Sequence, residues 1–327
     1  MIEFTPKELE RLIAPPRRSS GATSQSTVRR PVAFLSTSFQ KWPQVSAQAR
    51  MIRNVFEERF EVTGGWGVSG GRQLAKILSG IKRSDVVIVE ATYAGANIVL
   101  EMGMAYGLAH KHRTRVFLLF NIKAPSKTIR ELPEFLRSLD IISYDFEVAA
   151  LREARDKIYE RLQVEPEPEE LMSMNIRGST LRPRTDKQGI YMCYPKERDI
   201  WKTLINGLRD EVEKANMRLY TWVGTPSGCT SLEEVIYNVS RSSKELPISC
   251  FIDTTADDSV DLVGAFALGV ATALGRGVER STEAGADHPT DISLWTESTF
   301  EWHANNELIA HILACSQAEK SKQKRRR

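Results

Sequence analysis

The sequence predicts an α/β chain made of two tandem parallel-sheet domains related by internal duplication. Three observations carry that prediction. The strand-like runs are apolar throughout rather than alternating, as strands buried on both faces are. Helix-like segments separate them, the order expected of a parallel sheet covered on both sides. The order of elements in the first half then recurs in the second, the mark of a repeated unit. At 327 residues the chain suits two domains, each able to bury its own core.

The elements follow in order. Thr5-Pro6-Lys7-Glu8 reads as a capping box with Pro6 at the first helical position and Leu9, Leu12 and Ile13 on one face. That helix ends near Pro15-Pro16, and the Ser/Thr/Arg stretch over 19–30 reads as a flexible linker. Residues 1–30 therefore precede the first domain, 31–163, which opens with Val32-Ala33-Phe34-Leu35-Ser36. An amphipathic segment over 47–60, a short strand over 60–63 and a glycine-rich turn over 64–71 come next. Residues 74–78 are helical in pattern, and 85–90 form a buried strand ending in Glu90. A helix rich in small residues over 103–109, a strand over 116–120 and a helix over about 149–162 complete the unit. The linker, 164–188, contains the stiff acidic run Glu165-Pro166-Glu167-Pro168-Glu169.

The second domain, 189–327, repeats this pattern. Ile190-Tyr191-Met192-Cys193-Tyr194 opens it, followed by a helix over 201–215, a strand over 219–222 and a turn over 224–228. A helical run over 232–236 and the strand Ile248-Ser249-Cys250-Phe251-Ile252-Asp253 follow, the latter again ending in an acid. The small-residue helix over 269–275 matches that over 103–109 at a register of 166 (269 − 103). Each unit so ordered is Rossmann-like (flavodoxin-like). A C-terminal helix packed by Trp295 and Trp302, and a basic tail, are expected beyond the repeat.

Composition narrows the partners. Hydrophobic and charged fractions of 41% and 27% are those of an ordinary globular protein. The net charge of +3 is small, and much of it sits in Arg17, Arg18, Arg29, Arg30 and the run Arg325-Arg326-Arg327. Nucleic acid would be met only through those solvated tails. Cys193, Cys229, Cys250 and Cys315 form no CxxC, a pattern of reduced thiols rather than of a disulfide framework or zinc site. His303 and His311 are too far apart for a helical metal pair, so no metal is expected. No apolar run reaches the ~20 residues of a membrane span, and no secretory h-region is evident. A cytoplasmic chain with no membrane contact is the expectation.

Ligands of parallel α/β sheets bind at the carboxyl ends of the strands. Three stretches of the first domain should meet there: Ser36, Thr37 and Phe39 after the first strand; the turn carrying Gly67, Gly70 and Gly71; and the segment from Glu90 through Thr92 to Glu101. The glycine turn is either a phosphate cradle with Arg72 beside it or a mobile surface turn, and it matches neither the P-loop nor the dinucleotide pattern. In Ala96-Asn97-Ile98-Val99-Leu100-Glu101-Met102-Gly103, Asn97 is a good N-cap, and Glu101 lies on its face one turn on. Free N–H groups and the helix dipole favour an ionised carboxylate there, which is either catalytic or only a complement to the dipole. Gly103, Ala105, Gly107 and Ala109 are expected to let this helix approach the sheet closely. Glu90, at a strand end, is a candidate partner for ribose hydroxyls. Ser36 has no evident histidine partner, which excludes a serine hydrolase.

The pattern Asn97-Ile98-x-x-Glu101-x-Gly103-x-Ala105, with Ser79-Gly80-Ile81-Lys82-Arg83-Ser84-Asp85 ahead of the strand, resembles the nucleoside 2-deoxyribosyltransferase-like group and its TIR-like nucleotide-hydrolase relatives. The resemblance spans about 31–120 clearly and 189–276 weakly. It implies that Glu101 is the nucleophile or oxocarbenium stabiliser at the anomeric carbon of a (deoxy)ribose. The transferases carry further carboxylates at places corresponding here to about Ile77 and Gly95, neither acidic. Without a general acid, a leaving group that is already cationic suits the site, as nicotinamide in NAD is. The resemblance thus implies an N-glycosidase with NAD or a related nucleotide as substrate and no cofactor. By analogy it is a regulated effector of a prokaryotic defence or toxin system.

At the register of 166, Glu101 corresponds to Ala267 and Asn97 to Val263, so the second copy is expected to be inert and to serve an interface. A homo-oligomer or a regulatory protein partner is expected. Two other readings stay open: a non-catalytic tandem nucleotide sensor, and a nucleoside deoxyribosyltransferase or nucleoside hydrolase.

Overall fold

The computed structural model describes residues 29–37, 43–64, 73–93, 95–112, 114–124, 141–145, 147–164, 189–195, 199–224, 248–253, 262–274, 277–283 and 297–300, with 310, 313 and 314. The expected N-terminal helix, the acidic linker, the helical run over 232–236, Trp295 and Trp302 lie outside the described residues.

In the first half the described elements are β1 (Val32–Ser36), α1 (Pro43–Glu57), β2 (Glu61–Gly64), α2 (Gln73–Arg83), β3 (Val86–Glu90), α3 (Ala96–His112), β4 (Arg115–Asn121), β5 (Ile141–Tyr144) and α4 (Val148–Gln163). All strand pairings are parallel, in the order β2-β1-β3-β4-β5. β1 and β3 are buried along their whole length, which is why each reads as an apolar run up to its last residue.

Successive strand residues point to opposite faces, so the sheet supports two cores. Phe34, Val87, Val89, Leu118 and Phe120 pack with α2 and α3 on one face. Ala33, Leu35, Val86, Ile88, Phe117 and Leu119 pack with α1 and α4 on the other. Where β1 and β3 begin, the Asp85 carboxylate accepts from the Val32 amide at 2.8 Å while the Asp85 amide donates to the Val32 carbonyl at 2.8 Å. On the outer layer the buried Arg155 guanidinium of α4 bonds Glu58, Asp156 and the Val55 carbonyl, tying α4 to the end of α1.

The second half gives β6 (Gly189–Pro195), α5 (Asp199–Lys214), β7 (Arg218–Gly224), β8 (Ile248–Asp253), α6 (Leu262–Ala273), β9 (Gly277–Glu283) and β10 (Glu297–Phe300). Its sheet is also parallel, in the order β7-β6-β8-β9-β10, the same order as in the first half. Three strands were not anticipated: β5, β9 and β10. Two of them, β5 and β10, are four-residue strands at the edges of their sheets.

Two expectations about α3 need correcting. The helix starts at Ala96, and the Gly95 carbonyl already accepts from the Val99 amide at 3.1 Å. Gly95 therefore stands at the cap position, where glycine is well tolerated, and Asn97 lies inside the first turn. The glycines of α3 also face something other than the sheet. A Cβ on Gly103 would run into the Phe266 carbonyl of α6 and lie 3.1 Å from the Val270 nitrogen; one on Gly107 would lie 2.9 Å from the Ala273 Cβ. Gly103 and Gly107 are one turn apart on one helix face, and that face receives α6. Ala105 and Ala109 are buried in the core on this side of the sheet.

Candidate functional site

The carboxyl edge of the first sheet gathers polar residues. Ser36 ends β1, Glu90 ends β3, Asn121 ends β4 and Tyr144 ends β5. Parallel register keeps them at one edge, since Ser36 pairs with Val89, Glu90 with Leu119, and Asn121 with Tyr144. The loop after β3 leads directly into α3, which brings the start of that helix to the same edge.

Ser36 and Glu101 meet there. The Ser36 hydroxyl donates to Glu101 Oε2 at 2.5 Å, the length of a charge-assisted O–H···O⁻ bond. Ser36 is buried and Glu101 half-buried. The hydroxyl thereby fixes one carboxylate oxygen from the protein side. Glu101 is the sixth residue of α3, one turn after Asn97, and stays within reach of the helix's positive end.

Glu90 occupies a different environment. It is only 3% exposed. Its Oε1 accepts from the Thr92 amide at 3.2 Å, the Tyr144 hydroxyl at 3.1 Å and the Gln48 amide at 3.3 Å. Gln48, on α1, also bonds the Tyr144 hydroxyl. The Thr92 hydroxyl accepts from the Asn121 amide at 2.8 Å, and Asn121 Oδ1 in turn accepts from the Lys123 amide at 3.0 Å. Burial pushes the Glu90 carboxyl above the usual carboxylate range, against the hydrogen bonds from Thr92 and Tyr144 that pull it down. Burial and the Glu90 charge push the Tyr144 phenol well above its ordinary value, which leaves it a neutral donor. The two carboxylates thus differ in kind: Glu90 is enclosed by protein donors, whereas Glu101 is half-buried and accepts from Ser36.

Of the residues expected at the site, Ser36, Thr37, Glu90, Thr92, Asn97 and Glu101 lie in β1, β3, α3 and the residues that follow the two strands. Thr37 and Thr92 are buried. Phe39, Gly67, Gly70, Gly71 and Arg72 lie outside the described residues. Sequence reasoning missed Gln48 and Tyr144. Gln48 had a signal, because it falls on the stripe of Ile52, Val55 and Phe56 that faces the core, where a polar residue needs a partner.

Among the described residues no cluster of His, Cys, Asp and Glu could hold a metal ion, and no helix is long and apolar enough to cross a membrane. Compared with known proteins, the chain matches no family model and no curated protein.

Proposed function

We propose that the chain is an N-glycosidase that cleaves NAD or a related nucleotide through Glu101. One observation carries the reading: a carboxylate on a half-buried residue, bonded by a buried hydroxyl, stands at the carboxyl edge of a parallel sheet beside a helix start. In the proposed reaction the bond between the anomeric carbon and the cationic base nitrogen breaks, and the electron pair leaves with the base, which becomes neutral. Glu101 stabilises the developing oxocarbenium and takes a proton from the water that attacks it. Ser36 holds the carboxylate, and Asn97 stands one turn before it on α3. Glu90 acts from behind, fixing the loop that leads into α3. The places where the transferases it resembles carry further carboxylates hold Ile77 and Gly95 here, which favours a substrate whose leaving group needs no protonation.

We further read the two halves as copies of one unit, on the strength of their common strand order. The second copy carries Ala267 where the first has Glu101 and is inert. We infer a cytoplasmic effector of a defence or toxin system, answering to a regulatory protein partner or working as a homo-oligomer.

The test is to incubate purified protein separately with NAD, nucleosides and nucleoside monophosphates and to follow released base by chromatography. Nicotinamide release supports the reading. Release from nucleosides alone moves it to a nucleoside hydrolase or transferase, and binding without turnover moves it to a nucleotide sensor.

A further inference from the structure

The crossing of α3 and α6 has an order that general helix packing does not require. Take the repeat register of 166, under which Leu100, Gly103, Met104 and Gly107 correspond to Phe266, Gly269, Val270 and Ala273. A Cβ on Gly103 would run into the Phe266 carbonyl, and one on Gly269 into the Leu100 carbonyl: each contact is the other's image. The Gly103 position lies 3.1 Å from the Val270 nitrogen, and the Gly269 position lies 2.8 Å from the Met104 nitrogen, again images of one another. Corresponding residues also meet directly, since the Gly269 position lies 3.0 Å from Gly103 Cα and the Gly107 position 2.9 Å from the Ala273 Cβ. Residue i meeting j' while j meets i' is the rule of an isologous two-fold contact. Here it is met inside one chain.

Corresponding residues pair in the same order along both helices, so α3 and α6 run side by side in one direction. Only backbones stripped of side chains come this close. The contact lies within one turn of Glu101, because Leu100 and Gly103 flank it. Around the crossing, Phe266, Val270 and Ala273 are buried in one core with Val99, Met102 and Met104, and the Tyr106 and Phe266 rings lie 6.0 Å apart.

We propose that α6 is the seat of the Glu101 helix. The second half, carrying Ala267 where the first has Glu101, takes the place of a symmetric partner and positions α3, with Gly269 as the positioning residue. The activity arm of this inference rests on the glycosidase reading; the other two arms do not.

The first arm is the Gly107→Cys/Ala273→Cys pair in the full chain, oxidised beside the wild-type chain as control and mapped by peptide mass spectrometry. A slight parting of the helices brings these positions to the ~3.5–4.5 Å between Cβ atoms that a disulfide needs. A disulfide joining 107 to 273 within one chain is expected. Cross-links only between chains, or none at this pair, overturn the proposal. The second arm is hydrogen exchange in Gly269→Ala, expected to accelerate in α3 and to stay unchanged in α4; unchanged exchange in α3 overturns it. The third is turnover of the same variant, expected to fall about 10–100-fold in kcat with KM within about threefold, because a misplacement near 1 Å costs about that much. A kcat unchanged while the melting temperature drops would make the contact structural only and refute positioning. A wild-type chain that cleaves no nucleotide refutes the glycosidase reading, while the first two arms still decide this one. The cross-link decides it also if Gly269→Ala does not fold.

Discussion

Consider Gly103→Ala, a change of one methyl group in the middle of α3. The new Cβ would collide with the Phe266 carbonyl and stand 3.0 Å from the Phe266 carbonyl carbon and 3.1 Å from the Val270 nitrogen. All three are backbone atoms of α6, so no side chain can swing aside. Relief requires the helices to part by on the order of 1 Å, and the parting opens gaps along the rest of the crossing. Overpacking a well-packed core costs about 1–3 kcal/mol, and a backbone-on-backbone clash belongs at the upper end, about 3 kcal/mol. The gain in helix propensity from Gly to Ala, about 1 kcal/mol, offsets part of it. The net loss is about 2 kcal/mol, or roughly 4–8 °C in melting temperature at about 2–4 °C per kcal/mol. The internal control is Gly95→Ala, where a Cβ meets nothing within 4 Å. There the weaker cap and the stiffer unfolded chain nearly cancel, leaving a change within about 0.5 kcal/mol. Thermal melts of both variants beside wild type test the difference. A Gly103→Ala protein that melts with wild type would refute the close crossing and the reasoning built on it.

Three further outcomes follow from the site and its surroundings. Glu90 has a raised pKa in the folded state, so the stability it lends is complete below its unfolded pKa of about 4.5 and is lost as pH rises through the higher folded value. Urea melts from pH 4.5 to 8 should therefore show wild type losing ground to Glu90→Gln as pH rises; the opposite slope would contradict burial as the dominant influence. Ser36→Ala removes the hydroxyl that orients Glu101 and should lower kcat/KM about tenfold, equivalent to about 1.4 kcal/mol; an unchanged value would make that hydrogen bond incidental. Arg155→Ala should melt clearly below Arg152→Ala, because the Arg155 guanidinium is buried on three partners whereas Arg152 reaches Glu58 from solvent; equal melts would count against the buried cluster.

The sequence made the central strands legible for a physical reason. Val32–Ser36 and Val86–Glu90 are covered on both faces and so carry no polar position before their last residue to confuse their pattern. Ile141–Tyr144 alternates in burial and has four residues at a sheet edge, too short a run to stand out. Glu297–Phe300 contains a single apolar residue, so its place in the second sheet comes from pairing with β9 rather than from its own pattern. The meeting of Ser36 with Glu101 was legible because both lie where strands end and helices begin. The partner of Gly103 and Gly107 was not. Spacing by four identifies a smooth helix face, and the same face serves a sheet or another helix equally well. That Gln48 needs a partner was readable from its place on the core-facing stripe, but the partner was not, since Tyr144 arrives from a strand 96 residues away.

The most direct measurement of the whole account is the rate of nicotinamide release from NAD by the wild-type chain and by Glu101→Gln. The variant keeps the shape of the side chain and the capacity to accept from Ser36 but loses the charge that opposes the oxocarbenium. The account predicts release by wild type and a loss of at least about 100-fold in the variant, with the fold intact by circular dichroism. Release that survives the substitution at the wild-type rate would contradict it.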